Sequence, residues 1–313
     1  MTEFAVLGSS GFVGSAVAHE LHKHGRVRRI RAPRLPSMSE EDALTFAADH
    51  PNAVEHLARE LAGVDVVVNA AGNPDASSRN VGDLVAANGA LPGLIAAAAD
   101  EASCRRFVHI SSAVVQGASP VLDASEAHRG FSAYSDSKVL GERTAKGGRN
   151  LQTVIYRPPS VHSPSRRVSR QTAMLALSPL ASVAGNGASP TPQALIDNVA
   201  SAVTHLAVTT STPPSIVTHP WEGLTTGELM RILGGKEPWH LPLGLARAGV
   251  LFLTRSGRLV RPIAANARRV ELMWFGQAQA PSWLTEDGWR APFGREGWTR
   301  LANEVRDAGR RTE

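Results

Sequence analysis

Three glycines at three-residue intervals, Gly8-Ser9-Ser10-Gly11-Phe12-Val13-Gly14, follow the apolar run Phe4 to Leu7 and open the helical pattern Val13 to His24. Glycines at a strand-to-helix junction permit a tight turn and let a ligand approach the backbone closely. The free amides that begin the helix attract an anion such as a pyrophosphate. In a first strand-turn-helix unit, the motif predicts a dinucleotide held at Gly8, Ser10, Gly11, Phe12, Val13 and Gly14.

The rest of the first half fits that start. Short apolar runs alternate with helical patterns: strands at Val27–Arg31, Val64–Val68, Phe107–Ile110 and Thr153–Tyr156, helices at Asn52–Leu61, Leu84–Asp100 and Tyr134–Lys146. A short third strand is read at Leu44–Ala48, closed by Asp49. Continuously apolar strands suit a parallel sheet covered by helices on both faces. After Arg157-Pro158-Pro159 the texture changes, with Pro, Ser and Thr accumulating up to about residue 220. The expected fold class is α/β, a doubly wound parallel sheet of Rossmann type with a smaller, irregular C-terminal substrate lobe. The division is 1–160 for the dinucleotide-binding domain and 161–313 mainly for the lobe, with segments returning to the sheet.

The end of the second strand is where NAD and NADP are told apart, because an acidic residue accepts from a ribose 2′-hydroxyl while arginine neutralises a 2′-phosphate. Between Arg26 and Leu35 there is no Asp or Glu, but there are Arg31 and Arg34. The cofactor expected is NAD(P), with a lean toward NADP(H); the alternative is that these arginines are solvated surface charges.

Tyr134-Ser135-Asp136-Ser137-Lys138 puts a tyrosine and a lysine on one helix face, one turn apart. A free tyrosine titrates near 10, and a neighbouring cation favours its phenolate, turning Tyr134 into a usable general acid/base. Ser112 follows an apolar strand, 22 residues before Tyr134. Ser111 is its neighbour and rival.

These motifs together resemble the extended short-chain dehydrogenase/reductase superfamily, the NAD-dependent epimerase/dehydratase family. Asn69-Ala70-Ala71-Gly72 looks like its turn beside the adenosine, Asn88 falls where the extended branch has it, and Asp49 would match the acid facing the adenine. Tyr156-Arg157-Pro158-Pro159-Ser160-Val161-His162 resembles its Arg-Pro loop at the nicotinamide end, which adds Pro158 and Val161 to the expected contacts. The resemblance implies catalysis by Ser112, Tyr134 and Lys138, with the lysine also holding the nicotinamide ribose. Ala194–Val199, Leu224–Leu229, Gly288-Trp289 and Glu296-Gly297-Trp298 extend the likeness through most of the chain.

The departures narrow the reaction. The 4,6-dehydratases of the family place Asp-Glu directly after the catalytic hydroxyl; here Ala113 and Val114 have no titratable group. Gln116 stands where epimerases commonly carry tyrosine, and His162-Ser163 replaces Tyr-Gly. The expectation is an epimerase or ketoreductase acting on a carbinol or ketone of a sugar-like, possibly nucleotide-sugar, small molecule. A non-catalytic dinucleotide sensor or scaffold on the same fold is the other reading.

Composition sets the outer limits. With 42% hydrophobic and 19% charged residues among 313, the chain buries a core. The net charge of +5 comes from dispersed residues, only four of them lysine, so no nucleic-acid partner is expected. The single cysteine, Cys104, excludes an internal disulfide and multi-cysteine metal sites and reads as an inert thiol; no metal site is expected among eleven scattered histidines. The apolar run Leu241 to Leu253 contains Pro242 and Arg247 and is too short to span a bilayer. No membrane partner, a cytoplasmic location and a homodimer of the kind common in the family complete the expectations.

Overall fold

The computed structural model describes residues 1–75, 78, 80–146, 148, 150–257, 268 and 270–310. Six strands form the central sheet: β1 (Glu3–Leu7), β2 (Arg26–Ile30), β3 (Val66–Asn69), β4 (Arg106–Ile110), β5 (Gln152–Arg157) and β6 (Ile216–Thr218). They are parallel throughout and lie in the order β2-β1-β3-β4-β5-β6. The central strands β3 and β4 are buried along their whole length, whereas β2, at the edge, is fully buried only at Ile30. The sixth strand comes from the C-terminal half and pairs with β5 through Ile216 opposite Ile155.

The two faces of the sheet carry separate cores, because successive side chains of a strand point to opposite sides. Ala5 and Leu7 of β1 face the layer of α2 (Glu40–Asp49), α3 (Pro51–Leu61) and α4 (Val81–Glu101), where Phe46, Leu57 and Leu94 are buried. Phe4 and Val6 face α1 (Phe12–Leu21), and the same cluster takes in Val199, Val203 and Leu206 of a helix from the second half, Ile196–Val208. The α4 helix is long and apolar enough to cross a membrane by length and composition, but 67% of its most apolar window is buried within the fold.

Leu44–Ala48 is not a strand. It lies inside α2, whose start is fixed by a capping box: the Ser39 hydroxyl accepts from the Asp42 amide while the Asp42 carboxylate accepts from the Ser39 amide. Three acidic residues in the first turn favour the positive helix end, and Ala43 and Phe46, three apart, supply the buried side. Asp49 is consequently an exposed residue at the end of a helix, and its expected role closing a strand against an adenine has no structural basis.

Between β5 and β6 the chain makes the short parallel pair Ser160–His162 and Gln193–Leu195, with α5 (Ala133–Thr144) lying before β5 and α6 (Arg167–Leu177) inside the excursion. A third core gathers Ala173 and Ala176 of α6 with Leu229, Met230 and Leu233, and with Trp298 and Leu301 near the C-terminus.

Candidate active site

The loops at the C-terminal ends of β1, β3, β4 and β5 lie at the same end of the parallel sheet. At the first, Gly8 adopts φ +78° and its backbone packs so closely that a Cβ there would meet the Ala71 amide nitrogen at 2.5 Å. A Cβ on Gly14 would lie 2.2 Å from the Gly8 carbonyl oxygen, and the Gly11 amide donates to that oxygen at 2.9 Å. The start of α1 has no side-chain cap and no acidic residue in its first turn. Its amides are therefore left for an external anion.

After β3, the buried Asn69 shapes the next loop, its Oδ1 accepting from the Ala71 amide at 2.9 Å. Gly72 then passes under Asn88 and Lys138: a Cβ there would meet Asn88 Oδ1 at 2.7 Å and Lys138 Nζ at 3.4 Å. Asn88 is buried, sits in a π-turn of α4, and accepts from the Asn73 amide while donating to the Asn73 carbonyl and the Ser137 hydroxyl. Its amide group thus ties the Gly72 loop to α5. π-turns recur at functional sites because they re-aim one side chain.

The helix α5 opens on a second capping box, Ser132 with Ser135. That fixes Tyr134 in the first turn, half-buried, and Lys138 one turn deeper, only 7% exposed. Ser111 and Ser112, after β4, take different directions. The Ser111 hydroxyl donates to Glu142 Oε1 at 2.6 Å and is buried, whereas Ser112 is half-buried and its Oγ accepts from the Val114 amide at 3.3 Å. The Ala113 amide donates to the Pro158 carbonyl at 2.8 Å, which fastens the Ser112 loop to the loop after β5, and Val161 follows in the adjoining short strand. Arg31 and Arg34 are exposed just beyond β2 and form no ion pair among the described residues.

The electrostatics differ from the expectation in one respect. Lys138 was to lower the pKa of Tyr134, but burial raises the phenol above its ordinary value, and the cation opposing that rise is Arg166. Burial also lowers Lys138 itself to about 8, against the attraction of Glu142. His109, under the sheet ends, is driven to about 3 by burial and by the Lys138 charge, and is neutral at any ordinary pH.

Behind these residues is a buried ionic network that the motif reading missed. Glu142 lies eight residues after Tyr134, on the same face as Lys138, and accepts from Ser111, His128 and Arg157. Although burial alone would raise its pKa, the hydrogen bonds from His128 and Arg157 hold it at about 2. Arg157, expected near the nicotinamide end through its loop, has a side chain 0% exposed that binds Glu142 and the carbonyls of Asp123 and Ser125. The helical spacing 134, 138, 142 was a sequence signal for Glu142; nothing local marked His128 or Arg166. Gln116, where an epimerase tyrosine was looked for, is buried and staples the following loop through Asp123 and Ala127. Burial pushes the Cys104 thiol up to about 11, as suits an inert side chain.

Comparison with known proteins fits this geometry. The family model described as NAD dependent epimerase/dehydratase family matches residues 4–219. No curated protein matches the chain. Among solved structures, MoeE5 in complex with UDP-glucuronic acid and NAD is 18% identical, with a TM-score of 0.65 over 98% of this chain and 99% of that one. UDP-glucuronic acid 4-epimerase from Bacillus cereus with NAD is 15% identical, TM-score 0.66, over 98% and 99%. Human epimerase family protein SDR39U1 with NADPH is 16% identical, TM-score 0.67, over 96% and 99%. At these identities the likeness is one of fold.

Proposed function

The chain belongs to the NAD dependent epimerase/dehydratase family, and from that premise we propose that it is an NAD(P)-dependent oxidoreductase acting as an epimerase or ketoreductase on a sugar-like carbinol or ketone. The observation that carries the reading is Lys138: a cation 7% exposed, one turn from Tyr134, with its Nζ against the Gly72 loop. A buried cation without a fixed carboxylate partner is costly in a fold that does not use it.

The cleft fits a nicotinamide dinucleotide. The backbone of Gly8 and Gly14 leaves no room for a Cβ beside the uncapped start of α1, which suits a pyrophosphate at Gly8, Ser10, Gly11, Phe12, Val13 and Gly14. The loop Asn69, Ala70, Ala71 and Gly72 would border the adenosine, Pro158 and Val161 the nicotinamide, and Lys138 its ribose. Asn88 would act by holding that loop. Arg31 and Arg34, exposed and in no ion pair among the described residues, favour a 2′-phosphate and hence NADP(H). When bound, the dinucleotide supplies the hydride acceptor or donor.

The protein's own part is proton chemistry. Tyr134 exchanges the proton of the substrate hydroxyl, and Ser112, whose Oγ has one weak backbone donor among the described residues, steadies the same oxygen. Ser111 stays bound to Glu142 and keeps the loop in place. Ala113 and Val114 have no titratable group where the 4,6-dehydratases carry Asp-Glu, so 4,6-dehydration is not the proposed outcome.

The test is Tyr134→Phe, assayed for hydride exchange between NADPH and a panel of keto and hydroxy nucleotide sugars. Turnover is expected to fall about 10²- to 10⁴-fold with cofactor affinity unchanged; full activity in the variant would overturn the reading. Denaturing the purified protein and identifying what it releases separates the two reactions. Firmly held NAD supports an epimerase, and an empty site that takes up NADPH supports a reductase.

A further inference from the structure

Arg166 lies beside the glycine-rich turn and forms no ion pair among the described residues. It precedes α6, and its side chain turns back from the helix: Nη1 donates to the Val161 carbonyl at 2.6 Å, and the guanidinium carbon lies 4.9 Å from the centre of the Phe12 ring in the glycine-rich turn. That is the one hydrogen bond its guanidinium makes among the described residues, although it is half-buried. Arg157, by contrast, is buried against Glu142 and two carbonyls. The first turn of α6 has no acidic residue, so the positive helix end adds to the field of Arg166 instead of cancelling it. The sequence from 143 to 196 contains no Asp or Glu at all.

A guanidinium keeps its charge at all ordinary pH values and offers five donors in a planar fork shaped for a carboxylate or a phosphate. Half-buried, with four of its donors unmatched among the described residues, it is suited to an anion that a ligand brings. Phe12 on one side and the Val161 carbonyl on the other fix the fork between the cofactor turn and the loop after β5. Val161, whose carbonyl Arg166 holds, stands in the loop read above as bordering the nicotinamide, and the Tyr134 phenolate and the guanidinium would attract each other. The anion therefore belongs close to the carbon at which Tyr134 exchanges its proton.

Resting on the oxidoreductase reading above, we propose that Arg166 binds an anionic substituent of the substrate, a carboxylate or phosphate carried beside the reacting carbinol. It sets which substrates are accepted, while Tyr134 and Ser112 carry out the proton chemistry.

Calorimetric titration of the cofactor-loaded protein tests this with two ligands that differ in charge only at the sugar's terminal carbon, UDP-glucuronic acid and UDP-glucose, and with inorganic phosphate as a probe free of nucleotide. UDP-glucuronic acid is expected to bind about tenfold tighter than UDP-glucose, the worth of one charge-assisted contact. In Arg166→Gln the ratio should fall to about one, and in Arg166→Lys it should be intermediate. If the UDP ligands do not bind, saturable phosphate binding that is lost in Arg166→Gln still supports the anion site. Equal affinity for the two sugars in the parent protein, or no Arg166-dependent binding of any probe, overturns the proposal. So does a loss of NADPH affinity in Arg166→Gln with the sugar ratio unchanged, since the anion would then be the cofactor's pyrophosphate. Failure of the oxidoreductase reading has a separate signature, full turnover in Tyr134→Phe.

Discussion

Replacing Lys138 by Met exchanges a buried ammonium for an apolar side chain of similar length, and should make the protein more stable while abolishing its chemistry. Burial lowers Lys138 from 10.5 to about 8, with Glu142 opposing the shift. At about 1.4 kcal/mol per pH unit, the charged form costs the folded state about 3 kcal/mol. For a base whose folded pKa is depressed, that cost is fully present below pH 8 and fades as pH rises toward 10.5. The variant should therefore exceed the parent by about 1–3 kcal/mol at pH 7, the lower value allowing for imperfect repacking. The gap should narrow steadily above pH 8. Urea unfolding of the cofactor-free protein at pH 7 and at pH 9.5 measures both quantities. A variant less stable than the parent at pH 7, or a difference that is the same at the two pH values, would refute the argument from a buried cation.

Glu142→Gln should act in the opposite direction. It leaves Arg157, 0% exposed, without its carboxylate, and is expected to cost about 3–5 kcal/mol by chemical denaturation at pH 7. Because the folded pKa of Glu142 is depressed to about 2 from 4.5, its contribution is present above pH 4.5 and lost as pH falls toward 2; the variant should lose less stability than the parent across that acid range. Gly14→Ala places a Cβ 2.2 Å from the Gly8 carbonyl oxygen, against 3.2 Å for Gly11→Ala. The first should cost about 1–3 kcal/mol more than the second and weaken cofactor binding, read by thermal melting and NADPH fluorescence. Arg31→Ala with Arg34→Ala should reduce NADPH affinity about tenfold or more and leave NADH binding little changed; an equal loss for both cofactors would assign these arginines no part in reading the 2′-phosphate.

What could be read before folding was what local rules specify. The strand-turn-helix unit at Gly8–Gly14 follows from backbone sterics within seven residues, and the Tyr134/Lys138 pair from the pitch of one helix. The parallel sheet was legible because β3 and β4, buried along their length, carry the apolar stretches Val66–Val68 and Phe107-Val108. Leu44–Ala48 was misread because five residues of mixed polarity suit a strand or a helix equally. The capping box at Ser39 and Asp42 was the deciding signal, and it lies outside that window.

The state of each site residue was settled by parts of the chain far away in sequence. Which of two adjacent serines keeps a half-buried hydroxyl depends on Glu142, 31 residues after Ser111. The pKa of Lys138 depends on its burial in the fold and on Glu142, and the cation that opposes the rise of Tyr134 is Arg166, 32 residues downstream, not the lysine one turn away. By itself, then, the sequence determined that this chain has a glycine-rich strand-to-helix turn and a tyrosine and lysine on one helix face. Only the tertiary structure decided how those groups titrate and which charge is left for a ligand, because burial and long-range electrostatics exist only once the chain has folded.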